Sequence, residues 1–380
     1  MCFKLAIFLF CESVEVNTQN IQYKMKLKKY VGNPILSPNP ANTWENLVVC
    51  NPAAWYEDGK YYLLYRAAGD DEDHLIHIGL AMSNDGFNFS RVQDTPVLSP
   101  TIGGFDGGSV EDPRIVKFDD EFYMTYAFRP YPPGQYWKYE YDAVKGPKHN
   151  KYAPKCMREN IGNTALALSK DLKNFIKVGR LTEPSLDDRD VILFPEKINN
   201  KFYMLHRPKE YVGKKYGTDN PSIWMKSSDD LMSWNVPSTL LLTGKEWWEV
   251  KVGGNTPPIK TSEGWLMLYH GVDEKYTYRI GACLLDLEDP TKVLYRTKDF
   301  IMEPETEFEK NGLYKWGVVF PTGNVVVDNT LYVYYGASDQ WCCVATADIH
   351  ELVQFIKENT SEDITESDIN LVNKVQFATN

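Results

Sequence analysis

Short apolar runs bounded by polar turns dominate this chain, and through most of its length they lack the three-to-four spacing of an amphipathic helix. In Tyr61-Tyr-Leu-Leu-Tyr65, Trp265-Leu-Met-Leu-Tyr269 and Leu331-Tyr-Val-Tyr-Tyr335 every position is apolar or aromatic, and each run follows an Asp, Asn or Gly turn. Runs of this length and composition read as buried strands. A larger unit recurs five times: a proline, an apolar strand, an Asp/Asn/Gly turn and an aromatic-rich strand, over residues 51–66, 112–127, 194–207, 257–270 and 320–336. Most copies run on into a third strand and a polar turn, as in Ile78-Gly-Leu-Ala-Met-Ser83 before Asn84-Asp-Gly86. Self-similarity at this period predicts an all-β fold, a five-bladed β-propeller with one sheet per repeat. Such a fold gathers equivalent positions of every repeat around one axis, so residues distant in sequence can share a pocket.

No Pro-, Gly- or Ser-rich linker separates the repeats, so residues 25–350 read as one propeller domain despite the length of 380 residues. Residues 1–24 contain a short apolar run, Phe3 to Cys11, without a following small-residue cleavage site. They read as a non-native or weakly signal-like extension, with Met25 as the natural start. Residues 351–380 read as a C-terminal tail whose Glu351-Leu-Val-Gln-Phe-Ile356 forms a short helix.

Composition narrows the function. The net charge of −11 argues against nucleic-acid and membrane-surface partners, both of which demand a basic face. The seven cysteines show neither CxxC pairs nor Cys/His ligand spacing, which points to reduced thiols and a cytoplasmic location. Aromatic residues, at 13%, suit strands packed face to face and equally suit rings that stack on sugars.

Candidate chemistry concentrates at the ends of the aromatic strands. Tyr65-Arg66, Tyr126-Ala127, His206-Arg207, Tyr269-His270 and Tyr335-Gly336 fall at one repeat position, and three of the five are cationic or can become so. Their strand neighbours are buried, and buried cations need anionic partners or an anionic ligand. At the position before the proline, Asn51 and Asp112 are polar whereas Phe194 and Phe320 are not. Asp112 lies in Gly107-Gly-Ser-Val-Glu-Asp-Pro-Arg114 and reads either as a ligand-facing carboxylate or as a turn cap paired with Arg114. Arg189, Lys251, Tyr278 and Asp339 stand at strand or turn boundaries. A cluster of Arg189, Arg207, His270 and a tyrosine hydroxyl would receive phosphate, whose oxygens match guanidinium forks. His74, His77 and the acidic run at 70–73 read as hairpin and solvated loop. No metal-ligand set is evident.

Seven blocks in order carry a family resemblance: Asn51-Pro-Ala-Ala54, Gly107 to Arg114 as above, Arg189-Asp-Val-Ile-Leu-Phe-Pro-Glu196, His206-Arg-Pro208, Gly264-Trp-Leu-Met-Leu-Tyr-His-Gly-Val272, Leu284-Leu-Asp-Leu-Glu-Asp-Pro290 and Tyr334-Tyr-Gly-Ala-Ser-Asp339. From about residue 33 to 347 the chain resembles the inverting β-mannoside phosphorylases of glycoside hydrolase family 130, which are five-bladed propellers. The resemblance implies that Asp112 is the catalytic acid, acting through the 3-hydroxyl of the bound mannosyl unit. It implies that Asn51, Arg66, Lys251 and Asp339 hold the mannosyl ring and that Arg189, Arg207, His270 and Tyr278 bind phosphate. The products would be α-mannose 1-phosphate and a shortened acceptor, with inorganic phosphate as co-substrate and no metal or organic cofactor.

The leading expectation is a β-1,4-mannosyl bond to glucose, mannose or N-acetylglucosamine, with a β-1,2-mannoside as the alternative. A hydrolase of the same family would need a base for water, for which Glu249 beside Trp247 and Trp248 is the candidate. A non-catalytic carbohydrate-binding propeller would not need the basic set, and a furanosidase propeller would predict an acidic pocket. The long segment 129–160 is expected to act as a binding loop or a contact in a homo-oligomer.

Overall fold

The structure, a computed structural model, describes residues 25–138, 147–149 and 151–360. The proposed extension at 1–24 and the last twenty residues of the tail lie outside the described residues, as does part of the long segment at 129–160. The fold is all-β. Its strands form four hydrogen-bonded sheets, the largest of which divides into two antiparallel groups at a single parallel pair, Ile76 with Ser109.

Five antiparallel groups thus follow one another along the chain. The first comprises Val48–Glu57, Lys60–Ala68, Ile76–Ser83 and Ser90–Arg91. The second comprises Ser109–Phe118, Glu121–Arg129, Asn163–Ser169 and Ile176–Arg180. The third runs Asp188–Leu193, Phe202–Pro208, Ile223–Ser228 and Thr239–Leu242. In the fourth, Lys251–Gly254 and Ile259–Thr261 both pair with Gly264–Val272, which is followed by Tyr278–Leu285 and Val293–Arg296. The fifth comprises Val319–Val327, Thr330–Ala337 and Trp341–Asp348, and its outer edge is completed by Lys28–Lys29 from the other end of the chain.

Each group buries its apolar positions against the next. Ala53, Leu64 and Leu80 meet Val110, Ile115 and Met124; Val116 and Leu166 meet Val191 and Met204; Ile192, Leu205 and Met225 meet Val252 and Met267. Leu266, Leu268 and Ile280 meet Val319, Leu331 and Val333, and Ala54, Tyr61 and Leu63 meet Val325 and Tyr334. These strands read as nearly continuous apolar runs because both of their faces are covered. The helix Ile349–Glu358 packs Ile349, Leu352, Val353 and Ile356 onto the core between the fourth and fifth groups. It starts where Asp348 accepts the backbone N–H groups of His350 (2.8 Å) and Glu351 (3.0 Å), a capping arrangement that satisfies otherwise orphaned donors.

A lock repeats in four of the five groups. The tyrosine near the end of the second long strand donates its hydroxyl to a buried carboxylate, which is paired with a cation on the outermost strand. The sets are Tyr65–Glu45–Arg91, Tyr126–Asp106–Lys177, Tyr269–Glu249–Arg296 and Tyr335–Glu309–Lys29, with hydroxyl-to-carboxylate distances of 3.0, 3.1, 2.8 and 2.8 Å. In the third group the tyrosine is replaced by His206, which engages Asp188 and Ser238 instead. Among the described residues no helix is long and apolar enough to cross a membrane.

Candidate active site

Three polar residues leave their strands at matching points. Asn51, Asp112 and Asp190 have φ of 45°, 51° and 57°, and each sits where the register of its strand pair shifts. A bulge of this kind re-aims a side chain out of the sheet, and Asn and Asp tolerate the left-handed conformation it requires. This corrects the repeat alignment in the third copy. The equivalent of Asn51-Pro52 and Asp112-Pro113 is Asp190-Val191, four residues before Phe194-Pro195, because Arg189 faces Arg207 as Cys50 faces Arg66. The strand-end alignment itself holds.

The first half of the site gathers around Asp112. Its Oδ1 accepts from Asn51 Nδ2 at 2.7 Å and from Arg66 Nη1 at 3.3 Å. Arg66 also faces Glu111 Oε2 at 3.5 Å, and its Nη2 donates to the Tyr136 hydroxyl at 3.5 Å. Burial works against the charge on Arg66, but Glu111 and Asp112 overcome it and hold the guanidinium firmly protonated. Burial would also raise the Glu111 carboxyl, yet Arg66, Arg129 and Arg189 pull it below the ordinary carboxylate range. Asp339 stands in the Ser338-Asp339 turn, where φ is 44° and 55°. Burial pushes its carboxyl upward, Asp112 and Glu111 add to the effect, and Arg66 opposes it. Gly336 has to be glycine, since a Cβ there would overlap Asn51 Oδ1.

The second half is basic. Arg207 Nε donates to Asp190 Oδ2 at 2.6 Å, Arg114 Nη2 approaches Asp190 Oδ1 at 3.4 Å, and His270 Nε2 lies 3.8 Å from Asp190 Oδ2. Gly253 leaves room for this contact, because a Cβ there would collide with His270 and Asp190. Burial keeps His270 neutral at physiological pH, while the surrounding cations hold Asp190 ionised against its own burial. Arg189 Nε donates to Asp187 Oδ1 at 2.9 Å, and Lys209 Nζ donates to Asp187 Oδ2 at 2.6 Å. Lys251 Nζ donates to the Tyr278 hydroxyl at 3.1 Å. Burial, reinforced by Arg207 and Arg189, lowers the Lys251 ammonium to about 7. The Tyr278 hydroxyl is pushed up to about 12 by burial.

Arg114 ties the halves together, donating Nη1 to the Asp112 carbonyl at 2.9 Å and Nε to the Asn255 carbonyl at 2.9 Å while it faces Asp190. The reading of Asp112 as a carboxylate paired with Arg114 is therefore corrected: Arg114 holds the Asp112 main chain, and the carboxylate faces Asn51 and Arg66. Arg207 is itself positioned by Asp188, whose Oδ1 accepts the Arg207 backbone N–H (3.1 Å) and whose Oδ2 meets His206 Nδ1 (2.8 Å).

The fold thus connects Asn51, Arg66 and Asp112 by direct contacts, with Asp339 in the same field, and places Arg207 with His270 and Lys251 with Tyr278. Arg189 acts on Glu111 and Lys251 through its charge. Sequence reasoning missed Glu111, Arg114, Asp190 and Tyr136. The first three lie inside the quoted blocks and are found by counting back from the strand ends; Tyr136 carries no spacing signal, because it arrives on a short helical turn, Tyr136–Lys138. Glu249 is not at this site. Its carboxylate is buried in the fourth lock, bonded to Arg296, Tyr269 and the backbone N–H groups of Lys245 and Glu246.

Four buried polar atoms of the site have no hydrogen-bond partner among the described residues: Arg66 Nε, Arg207 Nη1, His270 Nε2 and Asn51 Oδ1. Buried polar groups left this way are costly unless a ligand satisfies them. Five cations (Arg114, Arg189, Arg207, Lys209 and Lys251) share two carboxylates, Asp187 and Asp190, in the basic half. The arrangement can bind an oxygen-rich dianion on one side and a polyhydroxyl ring on the other.

A family model described as β-1,4-mannooligosaccharide phosphorylase, glycoside hydrolase family 130, matches residues 18–358. A 1,2-β-oligomannan phosphorylase of Thermoanaerobacter sp. is 39% identical over 336 residues, covering 86% of this chain and 99% of the relative. A β-1,4-mannooligosaccharide phosphorylase of Ruminococcus albus is 27% identical, covering 88% of this chain and 91% of the relative. The solved β-1,2-mannobiose phosphorylase of Listeria innocua superposes with a TM-score of 0.70 at 28% identity, covering 88% of this chain and all of that one.

Proposed function

The chain belongs to glycoside hydrolase family 130, a family of β-mannoside phosphorylases, and from that premise we propose that it cleaves a β-mannoside with inorganic phosphate, inverting the anomeric centre to give α-mannose 1-phosphate. The observation that carries this reading is the buried basic half of the site, where five cations face two carboxylates and Arg207 Nη1 lacks a partner. A hydrolase needs a second carboxylate to activate water. Phosphate is already a nucleophile, and what it needs is cations that hold it in line with the anomeric carbon and offset its charge. Glu249, the candidate base for hydrolysis, is locked in the core.

Asp112 supplies the proton that the departing acceptor oxygen takes up, relayed through the mannosyl 3-hydroxyl. Asn51 and Arg66 hold that carboxylate, and together with Lys251 and Asp339 they bind the mannosyl ring. Arg189, Arg207, His270 and Tyr278 receive phosphate, with no metal or organic cofactor in the reaction. Between linkages the proposal moves to β-1,2, because the β-1,2-active relative stands at 39% identity and the β-1,4-active one at 27%. The architecture is a closed five-bladed β-propeller: the five groups share cores in sequence, and the fifth packs on the first. A cytoplasmic location suits a reaction that conserves bond energy in a sugar phosphate, and the buried free thiols Cys50, Cys156, Cys283, Cys342 and Cys343 are consistent with it.

Incubating the protein with β-1,2- and β-1,4-mannobiose, with and without phosphate, tests the proposal. Phosphate-dependent loss of the β-1,2 substrate is expected; equal release of free mannose without phosphate would overturn it.

A further inference from the structure

A cleft of about 670 Å³ opens beside the basic half of the site, lined by Lys275, Thr277, Arg279, Lys310, Lys315 and Gly317, with Trp316 on its rim. Its wall adjoins the site, since Thr277 and Arg279 flank Tyr278. The Tyr278 backbone N–H donates to the Gly317 carbonyl at 3.1 Å, and the Tyr278 ring stands edge-on to Tyr314, against which Trp316 packs. The same loop reaches across to the first group, where Leu313 packs with Val48 and Cys50, the residue preceding Asn51.

The charges lining this cleft do not balance. Glu303 and Glu305 also line it, but both are paired with Lys26, and Glu305 also with Lys29, which do not. Arg279 is paired with Asp273 at 2.7 Å and with Glu303 at 3.2 Å. Lys275, Lys310 and Lys315 are exposed and form no ion pair among the described residues. Three cations without an ion pair thus converge on one cleft, whose lining carries four cations against two carboxylates, in a protein whose net charge is −11. That charge repels a phosphate dianion at long range, and a cleft of the opposite sign raises the local anion concentration.

We infer that this cleft is an outer site for a phosphate group, on the path by which inorganic phosphate reaches Arg207 and Tyr278 or by which the sugar phosphate departs. The inference rests on the reading of the inner basic cluster as a phosphate site. The ligand chemistry is the same in both directions, a phosphate dianion held by lysines, and the direction of the reaction distinguishes the two sources.

The test is the triple variant Lys275→Gln, Lys310→Gln, Lys315→Gln in the full chain, none of which belongs to the catalytic machinery. At low ionic strength kcat/KM for phosphate should fall about three- to tenfold, the order expected when three unit charges within about a Debye length of a dianion's route are removed. The kcat at saturating phosphate and kcat/KM for the neutral mannoside should stay unchanged. The difference should close as sodium chloride is raised to about 0.5 M, and the corresponding triple Lys→Arg variant should behave as wild type. A matching fall for mannose 1-phosphate in the synthetic direction assigns the path to both ligands; a fall in one direction alone assigns it to that ligand. A wild type with normal phosphorolysis and a triple variant unaltered in both directions overturns this inference alone, as does a loss that persists at high salt. A wild type without phosphate-dependent turnover overturns the inner-site reading and this inference with it.

Discussion

Replacing Asp112 with Asn should separate the chemistry at this position from its structural part. Asp112 Oδ1 accepts from Asn51 Nδ2 at 2.7 Å and Arg66 Nη1 at 3.3 Å, and the amide oxygen of an asparagine can take both bonds. The backbone tolerates the change, since Asn adopts the left-handed conformation at φ 51° as readily as Asp. Arg66 keeps Glu111 as a counter-charge at 3.5 Å. The structural loss is therefore a charge-assisted bond weakened to a neutral one, about 1 kcal/mol, which lowers Tm by only about 2–4 °C. The chemical loss is of a different order: removing a positioned proton donor costs about 10²–10⁴ in rate. Glu111 cannot substitute, because three arginines hold it ionised. The assay is initial-rate formation of mannose 1-phosphate from mannobiose at saturating phosphate. The expected result is a kcat reduced about a thousandfold with a mannoside KM within about threefold of wild type. An aryl β-mannoside whose leaving oxygen needs no proton should recover most of the rate. A kcat loss below tenfold, or the same loss with the activated leaving group, would refute Asp112 as the acid. Loss of that size in Asp339→Asn with Asp112→Asn still active would move the role to Asp339, whose carboxyl is pushed upward by burial.

The remaining predictions probe the parts around it. Arg207→Ala should raise the KM for phosphate at least about tenfold while the mannoside KM stays near wild type, and leaving Asp190 buried with only Arg114 should cost about 3–5 kcal/mol, read by thermal unfolding. Gly336→Ala should push Asn51 off Asp112 and reduce kcat about ten- to a hundredfold without abolishing folding, measured in the same rate assay. Burial and the neighbouring Arg207 and Arg189 lower the Lys251 ammonium to about 7, and only while protonated does it add its charge, beside Tyr278, to the field that phosphate meets. So kcat/KM for phosphate should fall as pH rises through about 7, and Lys251→Met should flatten that limb of the pH profile.

Much of this was legible in the sequence because the fold repeats. A strand closed on both faces leaves a continuous apolar run, and five such runs at one spacing determine where the strand ends converge. Arg66, Arg207 and His270 followed from that alone. The bulges did not, because the residue that leaves a strand is set by register, and the third copy carries its proline at 195, in an irregular stretch before the tight Asn199-Asn200 turn, so that Phe194 stood where Asp190 belongs. Glu249 looked like a candidate base for a similar reason. Its partners Tyr269 and Arg296 are 20 and 47 residues away, and only the packed sheet shows that it balances a buried arginine. Tyr136 reaches Arg66 from a segment outside the repeat, so no periodicity could place it.

The central claim, that phosphate and not water attacks the anomeric carbon, is tested most directly by running the reaction on β-1,2-mannobiose in oxygen-18 water with ordinary phosphate. The account predicts α-mannose 1-phosphate free of the heavy label, formed only when phosphate is present. Two free mannose molecules per mannobiose, formed without mannose 1-phosphate at a rate indifferent to phosphate, would contradict it.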